Sequence, residues 1–431
     1  MTNNDRVLDV VVIGGGLAGL VHLHYARQAG LDALVLERQG GVGGLWRHLP
    51  AWQDIQICPV DWTVGDIPIA GPAQPHILSN IESWVDRFNL SGAIRLNCPV
   101  SLARHTGSYW ELDTPQRTLR ARHLVAATGG HNKPIIPEVE RSNSTVRELH
   151  SSALTHPAEL AGQTVVVVGG GASAFDLLDQ CLEHGASQIH WVYRGLRWFT
   201  PTTKPKAIAG SFRPYAKMQA SGLPVEKQNA LIDADLRARY AKFGIQDLQP
   251  TQSIDMRRDQ LIPGRARMLA NLARIERHPG TVLTLEGNQV VLSDGSRLNA
   301  DTVLWGTGYA TDLSYFEDPR IANIHSIAQL AKRCGCVFRS LDAPDLYFPG
   351  IGLEGVGASS FANAIGARTV MSHICGTAQL DMDPVAHKLN HLDLIGHLAS
   401  RDPGSFGPGA GWEHFRDLTA KLPDDSAYPL P

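Results

Sequence analysis

The apolar and polar positions along the chain repeat one arrangement twice. An apolar run at 10–13 (VVVI) is followed by glycines and then by a segment of helical period, and the same order recurs after the run at 164–168 (TVVVV). Short β-branched runs that are apolar at every position are typical of strands buried on both faces of a parallel sheet. The pattern therefore predicts two strand–turn–helix units, and each would begin an α/β domain.

The turn of the first unit has the spacing of a dinucleotide-binding loop, GxGxxG. The first glycine allows a tight turn, the second lets the backbone approach a pyrophosphate, and the third lets the helix pack on the strand. The next predicted strand, ALVLE, ends in an acid about 20 residues further on, where a carboxylate binds ribose hydroxyls. The residues expected to hold this nucleotide are Gly14, Gly16, Leu17, Ala18, Gly19, Glu37 and Arg38.

The second unit has a similar loop, GxGxxA, in which alanine is the small third residue. Its next strand, QIHWVYR, ends in an arginine where the first unit has an acid, and an arginine can bind a 2′-phosphate through two hydrogen bonds. The first unit is therefore predicted to bind a nucleotide without that phosphate, and the second to bind NADP. The residues expected at the second site are Gly169, Gly171, Ala172, Ser173, Ala174, Arg194 and Arg197.

The duplication continues downstream of both loops. Each copy runs through further predicted strands and ends in a Thr-Gly pair, at 128–129 in the first copy and at 307–308 in the second. The second copy contains an additional stretch, 200–262, whose pattern predicts helices. The arginines around 257–267 are expected to lie on a solvated helix face. A repeat of this length with one insertion is a stronger signal than either glycine loop alone.

Two nucleotide sites in one chain indicate a flavoprotein oxidoreductase in which NADPH reduces a bound FAD. The expected fold class is α/β, with two dinucleotide-binding, Rossmann-like domains and a helical insertion. Residues 1–157 and 305–431 are expected to form the FAD domain, and residues 158–304 the inserted NADP domain. Each domain would hold an open parallel sheet with its ligand at the carboxyl ends of the strands.

Composition and charge narrow the class of electron acceptor. The chain has 431 residues with 39 basic and 42 acidic side chains, and no charged block that would bind nucleic acid. Its six cysteines form no CxxC pair, which argues against a disulfide reductase, and no HExxH or Cys/His spacing predicts a metal site. Without an apolar run of about 18 residues or an apolar core near the start, a cytoplasmic protein with no membrane anchor is expected. Oxygen remains as the acceptor.

Four further segments lie in order along nearly the whole chain: GGVGGLW at 40–46, ATGGHNKPIIP at 127–137, GTGYATDLSYF at 306–316 and DLYFPGIGLEGVGASSFANAIGAR at 345–368. In order and spacing they resemble the class B flavin-dependent monooxygenases, which include N- and S-oxygenating, auxin-forming and Baeyer–Villiger enzymes. The resemblance implies that contacts to the cofactors also come from Gly44, Leu45, Trp46, Val100, Thr128, Gly129, Gly308, Tyr309 and Leu353.

The resemblance also implies the chemistry. NADPH would reduce the FAD, the reduced flavin would capture O₂ as a hydroperoxide, and one oxygen atom would pass to a small-molecule substrate, first of all at nitrogen or sulfur. The alternatives are a Baeyer–Villiger or carbon-hydroxylating enzyme, a reductase that passes electrons to a partner protein or quinone, and a non-catalytic redox sensor. The sequence does not indicate the oligomeric state.

Three residues are candidates for catalytic roles. The family's F-x-G-x-x-x-H fingerprint would end at His150, but Ser144 and Val146 replace its Phe and Gly, which weakens a Baeyer–Villiger assignment. Gln56 would supply the amide that many N- and S-oxygenating members provide with an asparagine. Asn132 follows the first Thr-Gly pair, on the path expected for the nicotinamide.

Overall fold

The computed structural model describes most of the chain between its termini. The residues described are 6–55, 63–64, 67–203, 224–255, 259, 261–335, 339–349 and 359–377.

The described residues contain strands of two to nine residues, and each glycine loop lies between a strand and a helix. In chain order they are β1 Val7–Ile13, β2 Ala33–Leu36, β3 Thr63–Val64, β4 Ile67–Pro68, β5 Ile94–Arg95, β6 Leu102–His105, β7 Trp110–Asp113, β8 Thr118–Ala126, β9 Lys133–Pro134, β10 Glu140–Ser142, β11 Arg147–His150, β12 Thr164–Val168, β13 Gln188–Tyr193, β14 Phe199–Thr200, β15 Ile262–Pro263, β16 Ile275–Pro279, β17 Val282–Glu286, β18 Gln289–Leu292, β19 Arg297–Asn299, β20 Thr302–Trp305, β21 Tyr309–Ala310 and β22 Leu346–Tyr347.

The helices follow the same order. They are α1 Leu17–Gln28, α2 Leu45–His48, α3 Gln74–Arg87, α4 Ala172–Glu183, α5 Val225–Phe243, α6 Ala266–Ala270, α7 Pro319–Ala322, α8 Ile327–Ala331 and α9 Ser359–Ile374. Within the part of the chain that the structure describes, no helix combines the length and the apolar character needed to cross a bilayer.

The first sheet has the order β5-β2-β1-β8-β7-β6, and β22 also pairs with β8. The strands β5, β2, β1, β8 and β22 run parallel, while β7 and β6 form an antiparallel extension. Val10, Val11 and Val12 of β1 are completely buried at the centre, as the apolar run predicts. The late residues return to this unit, since β22 joins its sheet and α9 packs against α1.

The second sheet is entirely parallel, with the order β11-β20-β12-β13-β16. Helix α4 packs on one face, where Phe175 contacts Trp191 edge to face. The other face is covered by a four-stranded sheet, β10-β17-β18-β19, and the two share an aliphatic cluster that includes Val166, Val192 and Leu285. The predicted fold class, two Rossmann-like units in an α/β chain, is confirmed.

The strand pairing differs from the expected domain boundary at one place. Strands β10 and β11 lie before residue 158, yet β10 pairs with β17 and β11 pairs with β20 of the second unit. Both strands are short and largely polar, ERS and RELH, so no apolar run marks them in the sequence. Their place is decided by backbone pairing with strands that lie more than a hundred residues further on.

The additional stretch of the second unit is built around α5. Ile232, Leu236 and Tyr240 of this helix are buried, and the Tyr240 hydroxyl accepts a hydrogen bond of 3.2 Å from the backbone N–H of Phe199. Gly244 ends the helix in the left-handed conformation, with φ +68°. At its base, β14 and β15 pair in parallel. The helical prediction agrees with the structure over Val225–Phe243, whereas Phe199–Thr200 and Ile262–Pro263 at the two ends of the stretch are strands.

Candidate active site

A cavity of about 780 Å³ lies at the carboxyl ends of β1 and β8. This is the edge of an open α/β sheet where ligands generally bind. The first glycine loop, the end of β2, the turn before α2 and the two segments that join the units form its walls. Apolar side chains close one side: Leu261 of the additional stretch, Pro263 directly after it, and Ile55.

The backbone of the first glycine loop makes three close approaches that leave no room for a Cβ. A Cβ on Gly14 (φ +108°) would lie 2.4 Å from the carbonyl oxygen of Ala127, and one on Gly19 would lie 2.0 Å from the carbonyl oxygen of Gly14. A Cβ on Gly44 (φ +56°) would lie 2.8 Å from Cα of Gly16. Gly16 and Gly44 therefore form a backbone-lined wall beside the N-terminus of α1, where a pyrophosphate can meet free N–H groups.

The carboxylate of Glu37 lies at the rim of this wall. It is 6% exposed and accepts hydrogen bonds from the backbone N–H of Gly15 at 2.5 Å and of Gln39 at 2.8 Å, one at each oxygen. A carboxylate oxygen has two lone-pair directions, so each keeps an acceptor position for a ribose hydroxyl. The loop and the acid thus fit the adenosine half of a dinucleotide.

The second glycine loop has the same turn, but its third small residue is Ala174 instead of a glycine. A Cβ on Gly169 (φ +140°) would lie 2.2 Å from the carbonyl oxygen of Gly306. Ala174 is completely buried. Its methyl group fits because the residue opposite is Gly306, on which a Cβ would lie only 3.0 Å from Cβ of Ala174. Arg194 and Arg197 are exposed directly after β13. The loop, Ala172 and Ser173 at the start of α4, and the two arginines therefore share one end of the sheet.

The two connecting segments pair with each other as β9 and β21, an antiparallel ribbon beside the cavity. Asn132 joins them. Its side-chain oxygen accepts the backbone N–H of Asp312 at 2.7 Å, and its amide group donates to the carbonyl oxygens of Asp312 at 3.1 Å and Thr128 at 3.4 Å. The amide lines the cavity, but its hydrogen bonds hold the connecting segments together.

His150 lies behind the ribbon. Its Nδ1 accepts the backbone N–H of Ser152 at 3.2 Å, which places the proton on Nε2, and Nε2 donates to the carbonyl oxygen of Gly308 at 3.0 Å. Burial lowers the pKa of His150, and the bond to Gly308 opposes that shift. The ring meets that of Tyr309 edge to face, and Tyr309 reaches the cavity. His150 is therefore a neutral side chain that supports the cavity wall.

A buried ion-pair network beside the cavity was missed by sequence reasoning. Arg265 is 5% exposed, contacts Asp54 at 2.7 Å and binds Asp176 of α4 at 2.5 Å. Burial raises the pKa of Asp176, against the effect of Arg265. The expectation of a solvated arginine face is wrong for Arg265, because both acids are far away in the sequence. The one available signal is an aspartate inside an apolar helical run, AFDLL.

The predicted site residues that the structure describes divide into three groups. Those that line the cavity are Gly14, Gly16, Leu17, Ala18, Glu37, Arg38, Gly44, Leu45, Trp46, Val100, Thr128, Gly129, Asn132 and Tyr309. Gly19, His150 and Gly308 lie directly behind that lining. The residues of the second loop, with Arg194 and Arg197, form a separate group. Gln56 and Leu353 lie outside the described residues.

Comparison with known proteins agrees with this geometry. Residues 11–234 match the pyridine nucleotide-disulphide oxidoreductase family. The chain belongs to this family. A Baeyer–Villiger monooxygenase of Streptomyces coelicolor is 25% identical over 94% of this chain and 82% of its own length.

Two solved structures have the same fold. A flavin-containing monooxygenase from Stenotrophomonas maltophilia covers 86% of this chain and 99% of its own, with 19% identity and a TM-score of 0.62. A structure titled OTEMO in complex with FAD and NADP covers 86% of this chain and 85% of its own, with 15% identity and a TM-score of 0.65.

The resemblance to class B flavin-dependent monooxygenases is thereby confirmed, together with the expectation of an FAD- and NADPH-dependent monooxygenase. The comparisons include both Baeyer–Villiger and flavin-containing monooxygenases, so they leave the oxygenated atom open. The roles of individual site residues also stay predictions.

Proposed function

We propose that this monooxygenase transfers one oxygen atom from O₂ to a nitrogen or sulfur atom of a small molecule. The observation that supports the proposal is the cavity itself. Its lining includes the first nucleotide-binding loop, residues of the ribbon that joins the two units, and an apolar wall formed by Ile55, Leu261 and Pro263.

The first loop is proposed to hold FAD. The pyrophosphate would meet the backbone at Gly14 and Gly16, and Glu37 would accept hydrogen bonds from the ribose hydroxyls. The close approaches at Gly14 and Gly44 and the buried carboxylate fit this group. When bound, FAD supplies the redox chemistry, since it accepts a hydride from NADPH and reacts with O₂.

The second loop is proposed to hold NADPH. The start of α4 would receive its pyrophosphate, and Arg194 and Arg197 are exposed at the end of β13, where a 2′-phosphate on the adenosine ribose is expected. Tyr309 and Asn132 would then stand between the two nucleotides, because the ribbon that carries them joins the two units.

The residues around the cavity are proposed to position groups and exclude water rather than to attack the substrate. Trp46, Tyr309 and the apolar wall limit the entry of water, which matters wherever a reactive intermediate can hydrolyse. Asn132 and His150 would act as positioning residues because their polar atoms bind the connecting segments. A direct role for Gln56 remains a prediction, as does a cytoplasmic location.

Baeyer–Villiger oxidation is the second candidate, favoured by the relative that spans 94% of this chain. The fingerprint region argues for the first candidate. Val146, at the position of the fingerprint glycine, is 8% exposed and belongs to the aliphatic cluster between the two sheets of the second unit. A glycine at this position would remove a side chain from the cluster. The packing around residue 146 therefore depends on valine and does not match the Baeyer–Villiger fingerprint.

The test is a labelled-oxygen assay with purified holoenzyme, NADPH and ¹⁸O₂. A thioether, a tertiary amine and a cyclic ketone are offered separately, and NADPH use, hydrogen peroxide and product mass are measured. We expect sulfoxide or N-oxide with one ¹⁸O atom per NADPH consumed. Labelled ester from the ketone alone would favour the Baeyer–Villiger enzyme. NADPH oxidation that requires a quinone or protein acceptor, without label in any product, would establish a reductase.

A further inference from the structure

Three side chains with metal-binding atoms meet at the outer edge of the second sheet. His190 lies on β13, and Glu276 and His278 lie on the edge strand β16. In the parallel pairing, His190 is opposite Glu276 and Val192 is opposite His278, so the three side chains point to the same face. His190 is 4% exposed, whereas Glu276 reaches solvent.

The distances among the three ligand atoms suit a shared ion. His190 Nδ1 lies 3.1 Å from His278 Nε2 and 3.3 Å from a carboxylate oxygen of Glu276. All three atoms lie within 4.8 Å of one another. Two ligands at the usual Zn–N and Zn–O bond lengths, in tetrahedral arrangement, are separated by about 3.3 Å.

Hydrogen bonding alone satisfies this cluster poorly. If His190 Nδ1 holds a proton, that proton can point at His278 or at Glu276, but not well at both. If His278 Nε2 holds it, the lone pair of His190 Nδ1 faces the carboxylate oxygen of Glu276. One proton is then shared among three atoms that carry lone pairs, and a cation at their centre would satisfy all three.

Neighbouring groups orient the ligands and favour positive charge. The side-chain amide of Gln188 donates to the other carboxylate oxygen of Glu276 at 2.9 Å, which leaves the oxygen facing His190 available. Such outer contacts accompany most metal ligands. Asp294, in the turn between β18 and β19, is close enough to His278 for their charges to interact.

We propose that His190, Glu276 and His278 bind a divalent first-row transition ion, with Zn²⁺ as the first choice. Two imidazoles and one carboxylate are borderline ligands that suit Zn²⁺ and disfavour Mg²⁺ and Ca²⁺. Solvent completes the coordination on the side of Glu276. The ion joins the edge strand β16 to β13, so it stabilises the proposed NADP unit without taking part in the oxygenation.

The sequence offered no metal-ligand motif here, because His190 and His278 are 88 residues apart and only the strand pairing brings them together. This separation also distinguishes the cluster from a short zinc-binding loop, and it means that binding depends on the folded sheet.

The test measures Zn²⁺ binding to the untagged, chelator-treated holoenzyme by titration calorimetry, with metal content after dialysis determined by mass spectrometry. We expect one Zn²⁺ per chain and a Tm raised by several degrees, since an ion that binds only the folded state stabilises it. X-ray absorption at the zinc edge should show two imidazole ligands. His278→Gln and Glu276→Gln should each weaken binding at least about 10- to 100-fold.

The control is His184→Gln, which changes a half-buried histidine at the end of α4 in the same unit and should leave Zn²⁺ affinity unchanged. His190 is not varied because it is buried and its loss would disturb folding. Flavin content and circular dichroism of every variant report whether the fold is intact. Failure to bind Zn²⁺ would overturn the proposal, and so would binding that both ligand variants leave unchanged. Neither result bears on the proposed oxygenation.

Discussion

The third small residue of each glycine loop shows how one neighbour decides which side chain is allowed. In the first loop a Cβ on Gly19 would lie 2.0 Å from the carbonyl oxygen of Gly14, so nothing larger than glycine fits. In the second loop Ala174 occupies the matching position, and its methyl group has room because the neighbouring Gly306 has no side chain. The third residue is therefore limited by the carbonyl oxygen of Gly14 in the first unit and by Gly306 in the second.

Gly19→Ala is therefore expected to prevent FAD binding, because the backbone of the loop must move to admit the methyl group. Ala174→Gly only removes a methyl group and loosens α4, at a cost of about 0.5–1 kcal/mol for glycine in a helix and a similar amount for the lost burial. Flavin content and urea unfolding measure both. Gly92→Ala is the control, since no atom lies near its Cβ position. Yellow, stable Gly19→Ala protein would contradict the assigned contact.

Arg194 is expected to distinguish NADPH from NADH. A charge-assisted hydrogen bond contributes about 1.5–3 kcal/mol, so Arg194→Ala should weaken NADPH about 10- to 150-fold. The affinity for NADH should stay unchanged, because NADH has no 2′-phosphate. Binding constants for both coenzymes, from titration of the oxidised enzyme with NADP⁺ and NAD⁺, provide the measurement. An equal loss for both would show that Arg194 supports the fold instead.

His22 in α1 is expected to make stability depend on pH. Its Nδ1 donates to the carbonyl oxygen of Ala18 at 2.8 Å, and burial lowers its pKa from 6.5 to about 4. Above pH 6.5 the ring is neutral in both states. As the pH falls from 6.5 towards 4, His22 becomes protonated in the unfolded chain but stays neutral in the folded chain. The free energy of unfolding therefore falls, by about 3 kcal/mol at most.

His22→Leu should remove this part of the pH dependence, and the exposed His325→Leu should keep it. The measurement is the urea midpoint of each protein at pH 7 and pH 5. Parallel losses in the wild type and His22→Leu would show that other groups, not His22, bind the proton.

Sequence reasoning succeeded at the residue scale where a contact is local. The contact of Gly19 and the hydrogen bonds of Glu37 depend on neighbours within one strand–turn–helix unit and its next strand, and the cofactor roles of these residues stay predictions. Arg265 was not, because its partners Asp176 and Asp54 are 89 and 211 residues away. Its sequence neighbours, LIPG before it and ARML after it, give no sign of a buried acidic partner.

At the scale of elements, Arg265 connects three parts of the molecule. It leads into α6, binds Asp176 in α4, and contacts Asp54 beside the cavity. Gln53 also donates to Asp176 at 2.6 Å. The segment directly after the additional stretch is thus bound to Asp54 of the first unit and to Asp176 of the second by buried ion pairs. The elements that sequence reasoning misplaced, β10 and β11, are polar and short, and they are defined by pairing rather than by their own pattern.

Arg265→Met is expected to lower the free energy of unfolding by about 3–5 kcal/mol, because it leaves two buried carboxylates without their cation. The control, Arg297→Met, breaks an exposed pair with Glu286 and should cost at most about 1 kcal/mol. Urea unfolding followed by tryptophan and flavin fluorescence gives both values. Adding Asp54→Asn and Asp176→Asn to Arg265→Met should recover part of the loss, and a larger loss would contradict the charge argument.

At the scale of the whole molecule, the chain consists of two similar units. The NADPH proposed for the second unit has to reach the FAD proposed for the first. The sequence predicted the two units from the repeated glycine loops, and the segments that cross between them from the Thr-Gly pair at the end of each copy. It could not predict that the crossings pair as β9 and β21, because two-residue strands leave no pattern. That ribbon and the adjacent Asn132 contribute to the cavity lining.

Asn132→Ala should slow electron transfer between the cofactors while leaving each cofactor site intact. The variant loses three hydrogen bonds that hold Thr128 and Asp312 together, so the two proposed nucleotide sites lose part of their fixed separation. A misplacement of about 1 Å can cost 10²-fold in rate, so we expect flavin reduction by NADPH to slow about 10- to 100-fold. Anaerobic stopped-flow absorbance gives the rate, and flavin content and NADP⁺ affinity should be unchanged.

Asn323→Ala, at an exposed helix end, is the control, and its flavin should be reduced at the wild-type rate. If Asn132→Ala reduces as fast as the wild type, the ribbon does not set the distance between the cofactors. If it loses NADP⁺ affinity instead, Asn132 belongs to the coenzyme site itself.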